Sequence, residues 1–258
     1  MIGGFYMENT SKKKKRKIII PLLIVAAIII ALLLINPVRM IIALTSMNAL
    51  DTHEVAPDIF AVNNSFVNLY LVKSGDKYIA FDAGGDNKAT KAAMENFGID
   101  ESDVIAVFLT HTDGDHVAAV PLFASAEIYM AESNRLFLDE KDGRNRSKVF
   151  LDMKRDYISL NDGETIIIAD LEIQCVFTPG HTPGSACFIV DGKYLFAGDN
   201  LNLKDGKAVL FTDVFNMSND IQTQSLRKLA RLDGIEAVFT MHTGYTNDFQ
   251  TAFADWAE

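Results

Sequence analysis

The sequence predicts one mixed α/β domain preceded by a single membrane-spanning helix. Three observations carry that expectation: an uncharged apolar run of eighteen residues near the N-terminus, an alternation of β-rich runs with helical spacings from Ile59 onward, and strands that end beside a histidine or aspartate. At 258 residues, 49% of them hydrophobic, the chain has material for one sizeable core.

The N-terminal reading comes first. Lys12 to Lys17 reads KKKKRK, and Ile18 to Ile35 follows without a charge. At ~1.5 Å rise per residue such a helix reaches ~27 Å, close to the ~30 Å hydrocarbon thickness of a bilayer. Pro21 sits near its start, where helices tolerate proline, and Asn36-Pro37 offers a stop. A cleaved signal peptide is the rival, but its apolar core is usually shorter, ~7–15 residues, and no convincing small-x-small site follows Ile35. We therefore expect a basic cytoplasmic tail (residues 1–17), a transmembrane anchor (18–36), a linker (37–57) and a soluble domain (58–258). The basic block precedes the span, so the positive-inside rule sends the domain across the membrane.

Along the soluble part, "FVNLYLVKSGDKYIAFDAGG" reads as two strands joined at Ser74-Gly-Asp76, and "NKATKAAMENFGI" has helical spacing. "VIAVFLT" reads as a buried strand that delivers His111. A short helix, a strand near Ala126 to Tyr129 and a charged helix from Ala131 to Glu140 come next, and "KDGRNRS" (residues 141–147) is a surface loop. "TIIIADLEIQCVFTPG", "ACFIVDGKYLFAGD" and "AVFTMH" supply further strands, with a helix about Ile221 to Leu232 that puts Leu226, Leu229 and Leu232 on one face. Spacing alone supports mixed α/β.

Residues 51–258 carry 17 Lys and Arg against 33 Asp and Glu, a net charge of −16. A nucleic-acid binder needs a basic footprint, so that class is disfavoured. Of the five histidines, His111, His116, His181 and His242 lie at or just beyond predicted strand ends, with Asp113, Asp115 and Asp199 similarly placed. A mixed imidazole and carboxylate set suits Zn, Fe or Mn. Gly114 permits a sharp bend in the His-x-Asp-x-Asp-His loop. His53, by contrast, reads as a surface residue.

Five pieces in this order resemble the metallo-β-lactamase-fold superfamily of metallo-hydrolases: Asp82 in "FDAGG", the "THTDGDH" loop, "TPGHTPGS", "FAGDN" and "MHTG". The resemblance is to its glyoxalase-II-like and lactonase-like branch. It implies a four-layer αββα sandwich with the site at one edge between two sheets. It further implies that His111, Asp113 and His181 hold a first metal, that Asp115, His116 and His242 hold a second, and that Asp199 bridges them, with Asp82 as buried support. The family loop is His-x-His-x-Asp-His, and Asp113 stands here in place of its second histidine. Two divalent metal ions are expected, zinc first, with iron or manganese as alternatives because a carboxylate is a harder ligand.

The implied activity is hydrolysis of a small ester, thioester or lactone by a hydroxide held between the metals, with Asp115 and Asp199 as catalytic carboxylates. A phosphodiesterase and a catalytically weak binding domain are the alternatives. Glyoxalase II proteins carry a C-terminal helical domain, whereas this sequence runs sixteen residues beyond His242, so a hydrolase without that domain is expected. Asn200, Phe211, Asn216, Met217 and Tyr245 flank the ligand positions as candidate pocket residues. Cys175 and Cys187 lie six residues either side of His181 and would face each other in a symmetric hairpin, although two buried free thiols are the stronger expectation.

Overall fold

The computed structural model describes residues 37–139, 150 and 153–257. The expected tail (1–17), the expected span (18–36) and the loop at 141–147 lie outside the described residues. No helix among the described residues is long and apolar enough to cross a membrane. Residues 37–45, expected as linker, are helical. The chain divides after Ser46, and all that follows concerns the unit from Met47 to Glu258.

Two sheets form its centre. The first has seven strands in chain order: β1 (His53–Ala56), β2 (Ile59–Asn64), β3 (Val67–Ser74), β4 (Lys77–Phe81), β5 (Val104–Leu109), β6 (Glu127–Ala131) and β7 (Ile158–Leu160). Strands β1 to β4 pair antiparallel through short turns, whereas β4 to β7 run parallel. Parallel neighbours need crossovers. Helices α1 (Asn87–Glu95), α2 (Gly114–Val117) and α3 (Glu132–Asp139) lie within them.

The second sheet contains β8 (Thr165–Ile168), β9 (Leu171–Phe177), β10 (Ala186–Val190) and β11 (Tyr194–Phe196). After a separate hairpin of β12 (Leu201–Lys204) and β13 (Lys207–Leu210) and helix α4 (Asn219–Leu229), β14 (Ala237–Thr240) and β15 (Gly244–Thr246) complete it. Helix α5 (Phe249–Phe253) follows. Its order is β15-β14-β11-β10-β9-β8, with β11 and β14 parallel.

Alternation along the strands builds the layers. In β4 and β5, Ile79, Phe81, Ala106 and Phe108 enter the core between the sheets, while Ala80, Val107 and Leu109 enter the core on the outer face. Phe81 of the first sheet stacks on Phe196 of the second at 4.0 Å between ring centroids. On the far side Leu226 and Leu229 of α4 pack with Val238 and Phe253, and Leu232 lies against that cluster. The result is helix, sheet, sheet, helix.

Three local features differ from expectation. "TIIIADLEIQCVF" is a hairpin, turning at Ala169 (φ 49°) and Asp170 (φ 71°). Two left-handed residues are what a tight hairpin turn needs, but Ala-Asp lacks the usual Asn-Gly signal. The β12–β13 hairpin, turning at Asp205-Gly206, fills a stretch for which no element was expected. Finally, Cys187 pairs with Val176, and Cys175 with Phe188. That register is offset by one residue from a symmetric hairpin, so the thiols point to opposite faces, Cys175 inward and Cys187 outward. Both cysteines are free and buried, and burial pushes both thiols up, Cys187 to about 12.

Candidate metal centre

Strand direction brings the chemistry to one edge. Asp82 follows β4 and His111 follows β5, which are parallel; Asp199 and His242 follow the parallel strands β11 and β14. The loop of residues 178–185 joins β9 to β10 and carries His181. Main-chain bonds lock the two edges together: Ala186 N–H donates to the Thr110 carbonyl (2.9 Å), and Asn68 N–H to that of Met241 (2.7 Å). Seven side chains converge there.

Three ligand-type groups form, each within 4.8 Å among its candidate atoms: His111 with Asp113 and His181, Asp115 with His116 and His242, and His111 with His116 and Asp199. The Asp199 carboxylate lies across them. Its Oδ1 faces Nε2 of His242 (3.2 Å) and His116 (3.3 Å), and its Oδ2 faces Nε2 of His181 (3.5 Å) and His111 (3.9 Å). Asp113 Oδ2 lies 3.4 Å from His181 Nε2, and Asp115 Oδ2 lies 3.5 Å from His242 Nε2.

Each imidazole uses its other nitrogen outward. His116 Nδ1 donates to Asp82 Oδ2 (2.8 Å), and His242 Nδ1 donates to the Phe66 carbonyl (2.7 Å). The Thr110 hydroxyl donates to Asp82 Oδ2 (2.9 Å), which leaves its oxygen to accept from His111 Nδ1 (3.1 Å). Asp82 thus orients two imidazoles, one directly and one through Thr110. It also accepts the Thr110 N–H (2.8 Å) from a left-handed backbone (φ 60°) that suits Asp or Asn better than most residues. Gly198 keeps Thr110 in place, since a Cβ there would lie 2.4 Å from the Thr110 hydroxyl.

In the neutral ring with Nδ1 protonated, the form that binds a metal, each Nε2 offers a lone pair inward. The Nε2 atoms of His111, His116 and His242 and Oδ1 of Asp199 are buried and make no hydrogen bond. Buried polar atoms are rarely left so, and buried carboxylates require a compensating charge. Four imidazole nitrogens and three carboxylates suit divalent zinc, iron or manganese. The donor set fits a metal.

The groups perturb one another strongly. Burial works against the Asp199 carboxylate, yet His242 and His116 hold it well below the usual carboxylate range. Burial also works against His116 as a cation, but Asp199, Asp115 and Asp82 raise it well above the ordinary imidazole value. His242 is raised in the same sense by Asp199. His111 is pushed well down by burial and by the neighbouring His116 and His181.

Other expected residues fall differently. Phe211 is buried with its ring edge-on to His181 (5.0 Å), and Asn200 is buried, its amide donating to the Ala197 carbonyl (2.7 Å). Asn216 accepts from His181 Nδ1 (3.2 Å), so it supports an imidazole. Met217 and Tyr245 are exposed, as is His53. Phe66, absent from the expected set, stacks on His242 (5.9 Å). An aromatic in the β2–β3 turn was visible in the sequence, but its partner is 176 residues away. Beside it a cleft of about 410 Å³, walled by Phe66, Val67, Gly85, Gly114, Asp115 and Ala118, reaches the cluster at Asp115.

Residues 62–242 match the family model of the metallo-beta-lactamase superfamily, and the chain belongs to that superfamily. Among its relatives, a probable polyketide biosynthesis zinc-dependent hydrolase of Bacillus subtilis is 36% identical over 104 residues, 39% of this chain and 40% of the relative. A hydroxyacylglutathione hydrolase of Xanthomonas euvesicatoria is 28% identical over 190 residues, 69% of this chain and 65% of the relative. The matches thus span less than two thirds of either relative's length. The fold is that of a metallo-beta-lactamase family protein from Thermus thermophilus, with a TM-score of 0.60 at 22% identity over 78% of each chain.

Proposed function

We propose that the domain is a dinuclear metal-dependent hydrolase of a small ester, thioester or lactone. The observation that carries this reading is the Asp199 carboxylate, whose two oxygens each face a different imidazole pair. His111, Asp113 and His181 would hold one cation, Asp115, His116 and His242 the other, and Asp199 both, with zinc the first expectation. Cations held by these residues would supply a water of lowered pKa, toward ~7, and a Lewis acid for the scissile carbonyl.

The protein's own part is placement. Asp82 and Thr110 fix two imidazole orientations, and the rings of Phe211 and Phe66 pack against those of His181 and His242. Asp115 is the carboxylate of the set that meets the cleft, with 27% of its side chain exposed, and would be the group to accept a proton from water. The relatives support the chemistry: one is named as zinc-dependent, and the other is named for an acyl compound. For location we propose a single-pass anchor over residues 18–36 with the domain outside the cytoplasm. Protease protection of the domain in intact cells would overturn that location.

The test is metal analysis of the purified full-length chain beside Asp113→His, with thioester, lactone and bis-nitrophenyl phosphate turnover on the same samples. Two metals per chain and carbonyl-ester turnover lost on chelation are expected. Turnover of the phosphate diester alone would replace the substrate class, and a metal-free, inactive chain after reconstitution would overturn the hydrolase reading.

A further inference from the structure

We propose that Asn216 and Gln222 form a positioning pair through which helix α4 orients the His181 side of the cluster. The proposal rests on the reading of that cluster as a metal centre.

The support of His181 differs in kind from that of the other imidazoles. His116 leans on a carboxylate, His111 on a hydroxyl backed by the same carboxylate, and His242 on a main-chain carbonyl. His181 Nδ1 meets a neutral side-chain amide, Asn216 Oδ1, at 3.2 Å. Such an amide can turn either end toward the ring, and only one end accepts a proton. Something must choose the end.

The surroundings make the choice. Asn216 Nδ2 donates toward the Phe211 carbonyl (2.9 Å), Asn219 Oδ1 (2.8 Å) and Gln222 Oε1 (2.7 Å). With acceptors crowded on that side, the oxygen of Asn216 is turned to His181, and Nε2 of His181 keeps its lone pair for the cluster. Gln222, fully buried, is fixed reciprocally: its Nε2 donates to Asn216 Oδ1 (3.2 Å) and to the main-chain carbonyl of Asp199 (3.1 Å). The two amides therefore tie together the backbone of Asp199 and the ring of His181.

Close packing keeps the pair in register with the His181 loop. A Cβ on Gly180 (φ +141°) would lie 2.4 Å from the backbone nitrogen of Gln222, so helix and loop touch main chain to main chain. Ser218 N–H donates to the Gly180 carbonyl (2.9 Å), and the Ser218 hydroxyl accepts the Ile221 N–H (3.3 Å) to cap α4. The start of α4 and the loop that delivers His181 are one unit.

Partners that orient a metal-ligating imidazole typically matter about 10–100-fold in metal affinity. The experiment measures zinc affinity of the full chain by competition with a chromophoric chelator, in two backgrounds. In His242→Ala, which keeps the His181 group, Asn216→Leu is expected to weaken binding about 10–100-fold. In His181→Ala, Asn216→Leu is expected to leave the remaining affinity unchanged. Equal affinities with and without Asn216→Leu in the His242→Ala background would overturn the pair, as would equal weakening in both backgrounds. If Asn216→Leu does not fold, Gln222→Met is read against the same expectations. A parent chain that binds no zinc would overturn the metal-centre reading instead.

Discussion

Replacing Asp82 separates two jobs that one carboxylate performs. Asp82 accepts from His116 Nδ1, the Thr110 N–H and the Thr110 hydroxyl, all in a fully buried setting. In Asp82→Ala these donors lose their acceptor, at about 1–3 kcal/mol each. The left-handed backbone adds about 1–2 kcal/mol for a residue that cannot bond locally. A total of about 4–11 kcal/mol rivals the whole stability of a typical domain, roughly 5–15 kcal/mol, so Asp82→Ala should fail to accumulate as folded protein. Asp82→Asn keeps the volume, tolerates the backbone and still offers Oδ1 to the Thr110 N–H. Its Nδ2, however, now points a donor at His116 Nδ1. The imidazole must move its proton to Nε2, where it blocks the lone pair that faces the cluster. Asp82→Asn should therefore stay folded, losing about 1–3 kcal/mol in urea unfolding, while zinc affinity at the Asp115, His116 and His242 group falls about 10–100-fold. Nitrogen chemical shifts of His116 would report the tautomer. Wild-type affinity in Asp82→Asn, or a stable Asp82→Ala, would refute the reasoning.

Other perturbations have equally definite outcomes. Metal bound only by the folded chain stabilises it, by about 2.7 kcal/mol at a hundredfold excess over Kd, so chelation should lower the melting temperature and zinc should restore it; a melt indifferent to both would exclude a structural contribution from the cluster. Gly198→Ala drives a Cβ against Thr110 from a left-handed backbone (φ 56°), and about 2–4 kcal/mol of lost stability is expected in denaturant titration, where a neutral result would contradict the packing. Cys175 and Cys187 should resist thiol reagents in the native protein and give two reactive thiols on unfolding without reductant, whereas none would mean a disulfide that the register forbids.

Much of this architecture was legible because it follows periodicity. The two strands joined at Ser74-Gly-Asp76 and the Leu226 and Leu229 face of α4 depend only on residue spacing and burial, although the helix stops at Leu229, short of the expected Leu232. The ligand-type residues were visible for a related reason, since each stands just past a strand and parallel strands end at a common edge. Harder to read were features set by one-residue offsets and main-chain contacts. The β9–β10 register turns on a single position, and it reverses where Cys175 and Cys187 point. The Phe66 carbonyl has no sequence signature, yet it holds His242. Asn216 looked like a pocket residue from its place near the ligands, and its support of His181 emerges only once α4 is packed against the loop.

The division of the cluster between the sheets has a bearing on how the protein comes to be. His111, Asp113, Asp115 and His116 follow a strand of the first sheet, whereas His181, Asp199 and His242 follow strands of the second. Each of the three ligand-type groups draws two members from the first sheet and one from the second. A nascent chain that has completed only its first half, or a fragment that retains only one, owns no complete group. Cation capture would then act as a clock that starts when the second half docks, and its rate during refolding would time the assembly of the sandwich itself.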